Sequence, residues 1–178
     1  MTEPNVASAT WLAPKVLSRS ELFGSILRAR GWTCATAESC TGGGITALLT
    51  SIPGSSDYVH GGIVAYANAA KARLLGVSEQ TLLERGAVSS ECAAEMARGA
   101  RAVFGVDLAL ASTGIAGPGG ATARKPVGLV YIAVDSPAGT TVRELHLPGD
   151  RLSVISAAIV AALELGLETL GADAPETE

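Results

Sequence analysis

Short apolar runs alternate with longer amphipathic segments over most of this chain of 178 residues. Strand-like runs occupy residues 59–66, 107–112 and 127–134, and the last of these is apolar at nearly every position. Such a run is typical of a strand that is covered on both faces. Strands interleaved with helices predict a single compact, layered α/β domain, in which helices flank a mixed, largely parallel sheet.

Helices are predicted between these runs from caps and from helical spacing. Ser18 and Glu21 have the spacing of a capping box for the first helix, and Asn68 is the expected N-cap of a later one. Amphipathic segments at residues 90–104 and 150–170 predict two longer helices. The sequence SPAG followed by TVRELHL predicts an antiparallel hairpin that closes the sheet.

One domain is enough for a chain of this length. Residues 15–170 carry the alternation of strands and helices and are expected to form that domain. Residues 1–14, which contain two prolines, are expected to form a flexible leader, and residues 171–178 an acidic tail.

Charge and cysteine content argue against several functional classes. The net charge is −4 and no basic run occurs, which disfavours a nucleic-acid-binding surface. We find neither a bilayer-length apolar stretch nor a secretion signal, so we expect a cytoplasmic protein without membrane contacts. Cys34, Cys40 and Cys92 form an odd, sparse set that is typical of reduced thiols.

The sequence lacks the common motifs for metal and nucleotide chemistry. It contains no GxxxxGK[ST], HExxH, CxxC or GxSxG pattern. Its histidines, His60 and His146, are interpreted as structural or solvent-facing. We therefore predict neither a metal nor a cofactor, and any serine nucleophile needs a base other than histidine.

The segment TAESCTGGG, residues 36–44, joins the end of a strand to a glycine-rich helix start. Backbone N–H groups at a helix start are unpaired and attract anions, including the oxyanion of an acyl-transfer reaction. Ser39 is therefore a candidate nucleophile, and Cys40 is its neighbouring rival. Alternatively, Ser39 is only an N-cap, although three glycines lower helix propensity and weaken that interpretation. The candidate substrate contacts in this segment are Cys40, Thr41, Gly42 and Gly43.

The segment YANAAK places Lys71 in the first turn of a predicted helix, with Tyr66 at the end of the preceding strand. The positive end of the helix dipole favours a neutral lysine, as does burial. For Lys71 to act as a base near neutral pH, its pKa must fall from about 10.4 to about 7. The alternative is an ordinary surface lysine.

Two further segments are candidates for ligand contact. The glycine-rich STGIAGPGG follows a strand, where ligands bind in open α/β sheets, and supplies Thr113, Gly114 and Gly117. In PGDR, Asp150 is an expected N-cap and Arg151 a candidate for binding phosphate or carboxylate. The alternatives are a flexible connection and a solvated arginine. Arg124 and Lys125, which flank the glycine loop, are interpreted as surface charges.

The order and spacing of these segments resemble a known family. TAESCTGG, GGIVAYANAAK, GAVSSECAAEMARGA, STGIAGPGG with KPVG, and PGDR are similar to the C-terminal domain of the competence/damage-inducible CinA proteins. They are also similar to its stand-alone form, the nicotinamide-nucleotide amidohydrolases called PncC. The resemblance covers residues 18–170 and implies a compact α/β domain that is often a homodimer.

The resemblance also implies an activity and the roles of four residues. The activity is hydrolysis of the carboxamide of nicotinamide mononucleotide, a pyridine nucleotide, to nicotinate mononucleotide and ammonia. Ser39 matches the nucleophile, Lys71 the base, Tyr66 a supporting hydroxyl and Arg151 an arginine near the substrate. The alternative is a regulatory module, linked to competence or DNA damage, that binds pyridine nucleotides without catalysis.

The chain departs from the family pattern in two places. Ala67 stands where the family often has Ser or Thr, and the glycine loop continues with ATAR where Thr, Pro and Glu are usual. These departures concern contacts with the substrate more than they concern the catalytic pair.

Overall fold

The computed structural model describes residues 10–172, so most of the expected leader and tail lies outside the described residues. Its sheet contains β1 (Cys34–Glu38), β2 (Val59–Val64), β3 (Leu108–Gly114), β4 (Leu129–Ser136) and β5 (Gly139–His146). Its α-helices are α1 (Pro14–Arg30), α2 (Gly44–Thr50), α3 (Asn68–Leu75), α4 (Glu79–Glu84), α5 (Ser90–Phe104) and α6 (Arg151–Thr169). Short 3-10 helices lie at Thr10–Leu12 and Ser55–Asp57.

The sheet has the strand order β2-β1-β3-β4-β5. Strand β1 pairs in parallel with β2 and β3, whereas the β3–β4 and β4–β5 pairs are antiparallel. The predicted layered α/β domain with a mixed sheet is confirmed. Two of the four strand pairs are parallel and two are antiparallel, and β4 runs opposite to the other four strands. Neighbouring parallel strands need a crossover, usually a helix. The segment between β3 and β4 contains none, so β4 returns antiparallel.

Helices cover both faces of the sheet, and the side chains of β3 show why the two layers differ. Leu108 and Leu110 belong to the core cluster that contains α1, α2 and α6 residues, whereas Ala109 and Ala111 belong to the cluster that contains α5 residues. This alternation follows from the two-residue period of a strand. The small side chains leave room for α5 to pack close to the sheet.

Helix α6 has the length and apolar composition of a membrane span, with a mean hydropathy of 1.7. The sequence analysis did not identify such a stretch. In the fold, α6 packs against α1, α2, β3 and β4, and it buries Ile159 and Leu163, whereas Leu152 near its start is 69% exposed. The apolar composition therefore matches that of a core helix.

Several predicted helix ends are confirmed and two are wrong. The Asp150 side chain accepts a hydrogen bond at the start of α6, as the predicted N-cap does, and α5 has the predicted bounds. Helix α1, however, begins at Pro14 rather than near Ser18, because proline suits the first turn of a helix. Asn68 is the first helical residue of α3 and does not cap it.

Candidate active site

Ser39 lies in a turn between β1 and α2 and is 7% exposed. Its backbone N–H donates to the carbonyl of Ser112 on the neighbouring strand β3, at 3.0 Å. The turn then passes through Gly42 and Gly43, whose φ angles of 62° and 99° favour glycine over any residue with a side chain. The glycines therefore allow the sharp turn that holds Ser39 at the end of β1.

Glu38, the last residue of β1, is fully buried, and its carboxylate lies at the start of α2. Its carboxylate accepts hydrogen bonds from the N–H groups of Gly43 and Ile45, both at 3.0 Å, and of Thr46 at 2.8 Å. A carboxylate at a helix N-terminus is stabilised by the helix dipole. These amides are therefore bound by the protein itself, whereas the sequence analysis assigned the amides of this helix start to a ligand.

The remaining N–H groups of the turn differ in whether the protein supplies them with a hydrogen-bond acceptor. The N–H of Gly42 donates to the carbonyl of Ser39 at 3.2 Å. Within residues 10–172, the N–H groups of Cys40 and Thr41 have no hydrogen-bond acceptor. They are the donors in this turn that remain for a ligand.

Lys71 lies in the first turn of α3 and is 1% exposed. Its Nζ is 2.9 Å from Oγ of Ser39, and it donates to the carbonyls of Ala65 at 2.8 Å and Tyr66 at 3.1 Å. Burial lowers the pKa of Lys71 below its ordinary value. The surface-lysine alternative is therefore wrong for this position.

The partners of Lys71 show what a neutral amine would do at this position. A neutral amine has two N–H donors and one lone pair, and a carbonyl oxygen can only accept. With both N–H groups donated to Ala65 and Tyr66, the lone pair is left for the hydroxyl proton of Ser39. The arrangement can therefore act as a nucleophile and its general base without histidine.

Tyr66 contacts the base through its backbone, because its carbonyl accepts from Lys71. Its side chain is directed elsewhere: the residue is 64% exposed, and its hydroxyl accepts from Nη2 of Arg151 at 3.3 Å. Nη1 of Arg151 donates to the carbonyl of Gly117 at 2.7 Å. Arg151 thus joins the β2–α3 connection to the glycine loop.

A cavity of about 200 Å³ opens beside the Ser39–Lys71 pair. Its lining consists of Ser39, Cys40, Tyr66, Asn68, Lys71, Ala87, Val88, Thr113, Gly114, Ala116 and Arg151. Arg151 is cationic, Lys71 is cationic only when protonated, and no lining residue is acidic. Such a cavity favours an anionic ligand that has an apolar part.

The structure brings together most of the site residues identified from the sequence. Seven of them line the cavity: Ser39, Lys71, Tyr66, Cys40, Thr113, Gly114 and Arg151. Thr41, Gly42, Gly43 and Gly117 do not line it. The sequence analysis missed Asn68, Ala87, Val88 and Ala116, three of which are small apolar residues without a chemical signature.

Cys40 and Thr41 follow Ser39, and the surroundings of their side chains show what each can do in the site. Burial raises the pKa of Cys40 to about 11, so its thiol is protonated at neutral pH and is a weak nucleophile. Oγ1 of Thr41 donates to the carboxylate of Glu38 at 2.7 Å and lies 2.6 Å from Oγ of Ser112. The protonated thiol of Cys40 favours Ser39 as the nucleophile.

Side chains hold the cavity wall formed by Ala87 and Val88. Nζ of Lys125 donates to the carbonyls of Arg85 at 2.5 Å and Val88 at 2.6 Å. Oγ1 of Thr113 donates to the carbonyl of Ala87 at 2.6 Å. Lys125, interpreted from the sequence as a surface charge, therefore ties the loop after β3 to this wall.

No group of His, Cys, Asp or Glu side chains within the described part of the chain could hold a metal ion.

Comparison with known proteins identifies the family. The model of the CinA C-terminal domain matches residues 17–170. A CinA-like protein of Geobacter metallireducens is 52% identical over 139 residues, which cover 78% of this chain and 34% of that protein. A CinA-like protein of Mycobacterium avium is 52% identical over 140 residues, which cover 76% of this chain and 32% of that protein. The chain thus spans about a third of the length of these relatives.

Solved structures agree with this result. The competence/damage-inducible protein CihA from Agrobacterium tumefaciens has a TM-score of 0.84 and 41% identity, over 87% of this chain and 94% of that one. A CinA superfamily protein from Escherichia coli has a TM-score of 0.80 and 33% identity, over 88% and 93% of the two chains. The fold, the site segments and these relatives together place the chain in the CinA C-terminal domain family.

Proposed function

We propose that this protein is an amidohydrolase that converts nicotinamide mononucleotide to nicotinate mononucleotide and ammonia through a serine–lysine acyl-enzyme. The observation that carries the proposal is the 2.9 Å contact between Nζ of buried Lys71 and Oγ of Ser39. The carbonyls of Ala65 and Tyr66 accept both N–H hydrogen bonds of a neutral Lys71, so its lone pair is left for the hydroxyl proton of Ser39.

In the proposed reaction, neutral Lys71 takes the proton of Ser39 as Oγ attacks the carboxamide carbon. The oxyanion accepts from the free N–H group of Cys40, which lines the cavity, and such a donor typically contributes about 3 kcal/mol. Protonated Lys71 then gives its proton to the leaving nitrogen, and ammonia departs. Water, deprotonated by Lys71, attacks the acyl carbon. The bond from that carbon to Oγ of Ser39 breaks, protonated Lys71 returns its proton to Oγ, and the carboxylic acid is released.

The cavity supports a substrate with a flat apolar ring and a remote anionic group. Ala87, Val88 and Ala116 offer apolar surface for a pyridine ring beside Ser39. The partners of Arg151 are the neutral oxygens of Tyr66 and Gly117, so its positive charge is available to a phosphate. A mononucleotide has both features.

The test is ammonia release from nicotinamide mononucleotide, measured beside calorimetric binding of the same compound. We expect stoichiometric ammonia and nicotinate mononucleotide. Binding without ammonia release would contradict the proposal and favour the regulatory module that binds pyridine nucleotides.

Replacing Lys125 by methionine should raise KM about fivefold to tenfold while kcat changes little, because loss of its two hydrogen bonds loosens the cavity wall. Steady-state kinetics with nicotinamide mononucleotide measure the change. Arg124→Met removes the same charge from the neighbouring exposed residue and is the matched control. Equal KM values for the two variants would show that the hydrogen bonds of Lys125 do not shape the cavity.

A further inference from the structure

Glu38 is a buried carboxylate without a salt bridge among the described residues. Oε2 accepts from Thr41 Oγ1, Gly43 N and Ile45 N, and Oε1 accepts from Thr46 N and Thr46 Oγ1. A buried charge is costly unless hydrogen bonds satisfy it. Here neutral donors and the start of α2 do so in place of a cation.

These hydrogen bonds fix the turn that carries Ser39. Glu38 precedes Ser39, and its carboxylate reaches forward to Thr41 and Gly43, so the chain closes on itself around the nucleophile. Thr41 in turn contacts the hydroxyl of Ser112, whose carbonyl accepts from the N–H of Ser39. The backbone of Ser39 is thereby held from both sides.

We propose that Glu38 is a positioning residue, which holds the turn so that Oγ of Ser39 stays within hydrogen-bond distance of Lys71. This inference rests on the proposed role of Ser39 as a nucleophile, but not on the identity of the substrate. Glu38 lies outside the cavity lining, so it acts through Ser39 rather than on the ligand. A displacement of about 1 Å between reacting groups can lower a rate about a hundredfold.

The principal test is Glu38→Gln. The substitution keeps the size of the side chain, but it removes the charge and turns an amide NH₂ toward N–H donors of α2. We expect kcat to fall about a hundredfold, with KM within about threefold of wild type. We expect a similar fall in the rate at which an alkyl fluorophosphonate modifies Ser39, measured by intact mass.

Glu95→Gln is the matched control, because Glu95 fixes the start of another helix. Its carboxylate accepts from Ser78 N at 2.8 Å and Thr81 Oγ1 at 2.7 Å, and it does not line the cavity. We expect both variants to lower Tm, but only Glu38→Gln to lower kcat and Ser39 modification. Equal losses of activity in the two folded variants would reduce Glu38 to a structural role and overturn the proposal.

Thr41→Val is the second variant, in case Glu38→Gln does not fold. It removes one donor to Glu38 and should lower kcat and Ser39 modification about tenfold. Unchanged rates in folded Thr41→Val would then overturn the proposal.

Fluorophosphonate modification separates this inference from the substrate assignment. Slower modification in the Glu38 variant supports positioning even if wild type releases no ammonia from nicotinamide mononucleotide. Wild-type rates of modification and turnover in folded Glu38→Gln overturn positioning and leave the proposed function intact. A wild-type protein that neither reacts with the probe nor releases ammonia overturns both.

Discussion

Ser39→Ala is expected to lower kcat for ammonia release by about a million-fold while substrate affinity stays near that of wild type. The substitution removes the hydroxyl that contacts Nζ of Lys71. Cys40 cannot replace it, because burial raises the pKa of this thiol to about 11 and keeps it protonated at neutral pH. A coupled ammonia assay and calorimetry on the same preparation measure the two quantities.

Ser25→Ala is the matched control for this prediction. Ser25 is exposed on α1, its hydroxyl donates to the carbonyl of Leu22, and it does not line the cavity. We expect wild-type kinetics in this variant. A nicotinoyl ester on Ser39, trapped by rapid acid quench of wild type and located by mass spectrometry, would support the acyl-enzyme. Turnover of Ser39→Ala at more than about a hundredth of the wild-type rate would assign nucleophilic attack to another group.

Local sequence was enough to identify Ser39 and Lys71, which we propose as the catalytic pair. Ser39 is at a strand end followed by glycines, and Lys71 follows a strand and falls in the first turn of a helix. Each signal spans a few residues, so no tertiary contact was needed to identify it. The 2.9 Å contact itself depends on the parallel pairing of β1 and β2, which brings both strand ends to one edge of the sheet.

Glu38 shows where local reasoning was insufficient. Free amides at a helix start attract any nearby anion, and the sequence analysis assigned that anion to the ligand. In the fold, the preceding carboxylate binds three of those amides. An acidic residue just before a glycine-rich helix start was a signal for this arrangement, since the helix dipole favours it.

The cavity wall and the direction of β4 could not be predicted for a different reason. Ala87 and Val88 are brought to Ser39 by the sheet, and Lys125 reaches the wall from 37 residues away in sequence. Small apolar side chains and a lysine carry no pattern that identifies such a pairing. The β3–β4 connection likewise resembles a ligand loop in sequence, and only the absence of a helix in it requires an antiparallel return.

Lys71→Met is expected to lower kcat/KM by about a hundredfold to ten-thousandfold, the usual contribution of a general base. Methionine keeps the length and burial of the side chain but has no lone pair on nitrogen for the proton of Ser39. Lys15→Met, on the exposed surface of α1, removes the same charge and should keep wild-type kinetics. Assays at saturating and limiting substrate separate kcat from KM.

The pH dependence of kcat/KM tests the role of Lys71 more directly than the loss of rate in Lys71→Met does. Burial lowers the pKa of Lys71, so its neutral, basic form is present at lower pH than in free lysine. Wild-type kcat/KM should therefore rise with pH through this lowered pKa and level off above it, since protonated Lys71 cannot accept a proton. The variant should lose this limb and retain a low, nearly flat profile. A limb of unchanged position in Lys71→Met would assign the titration, and with it the role of base, to a different group.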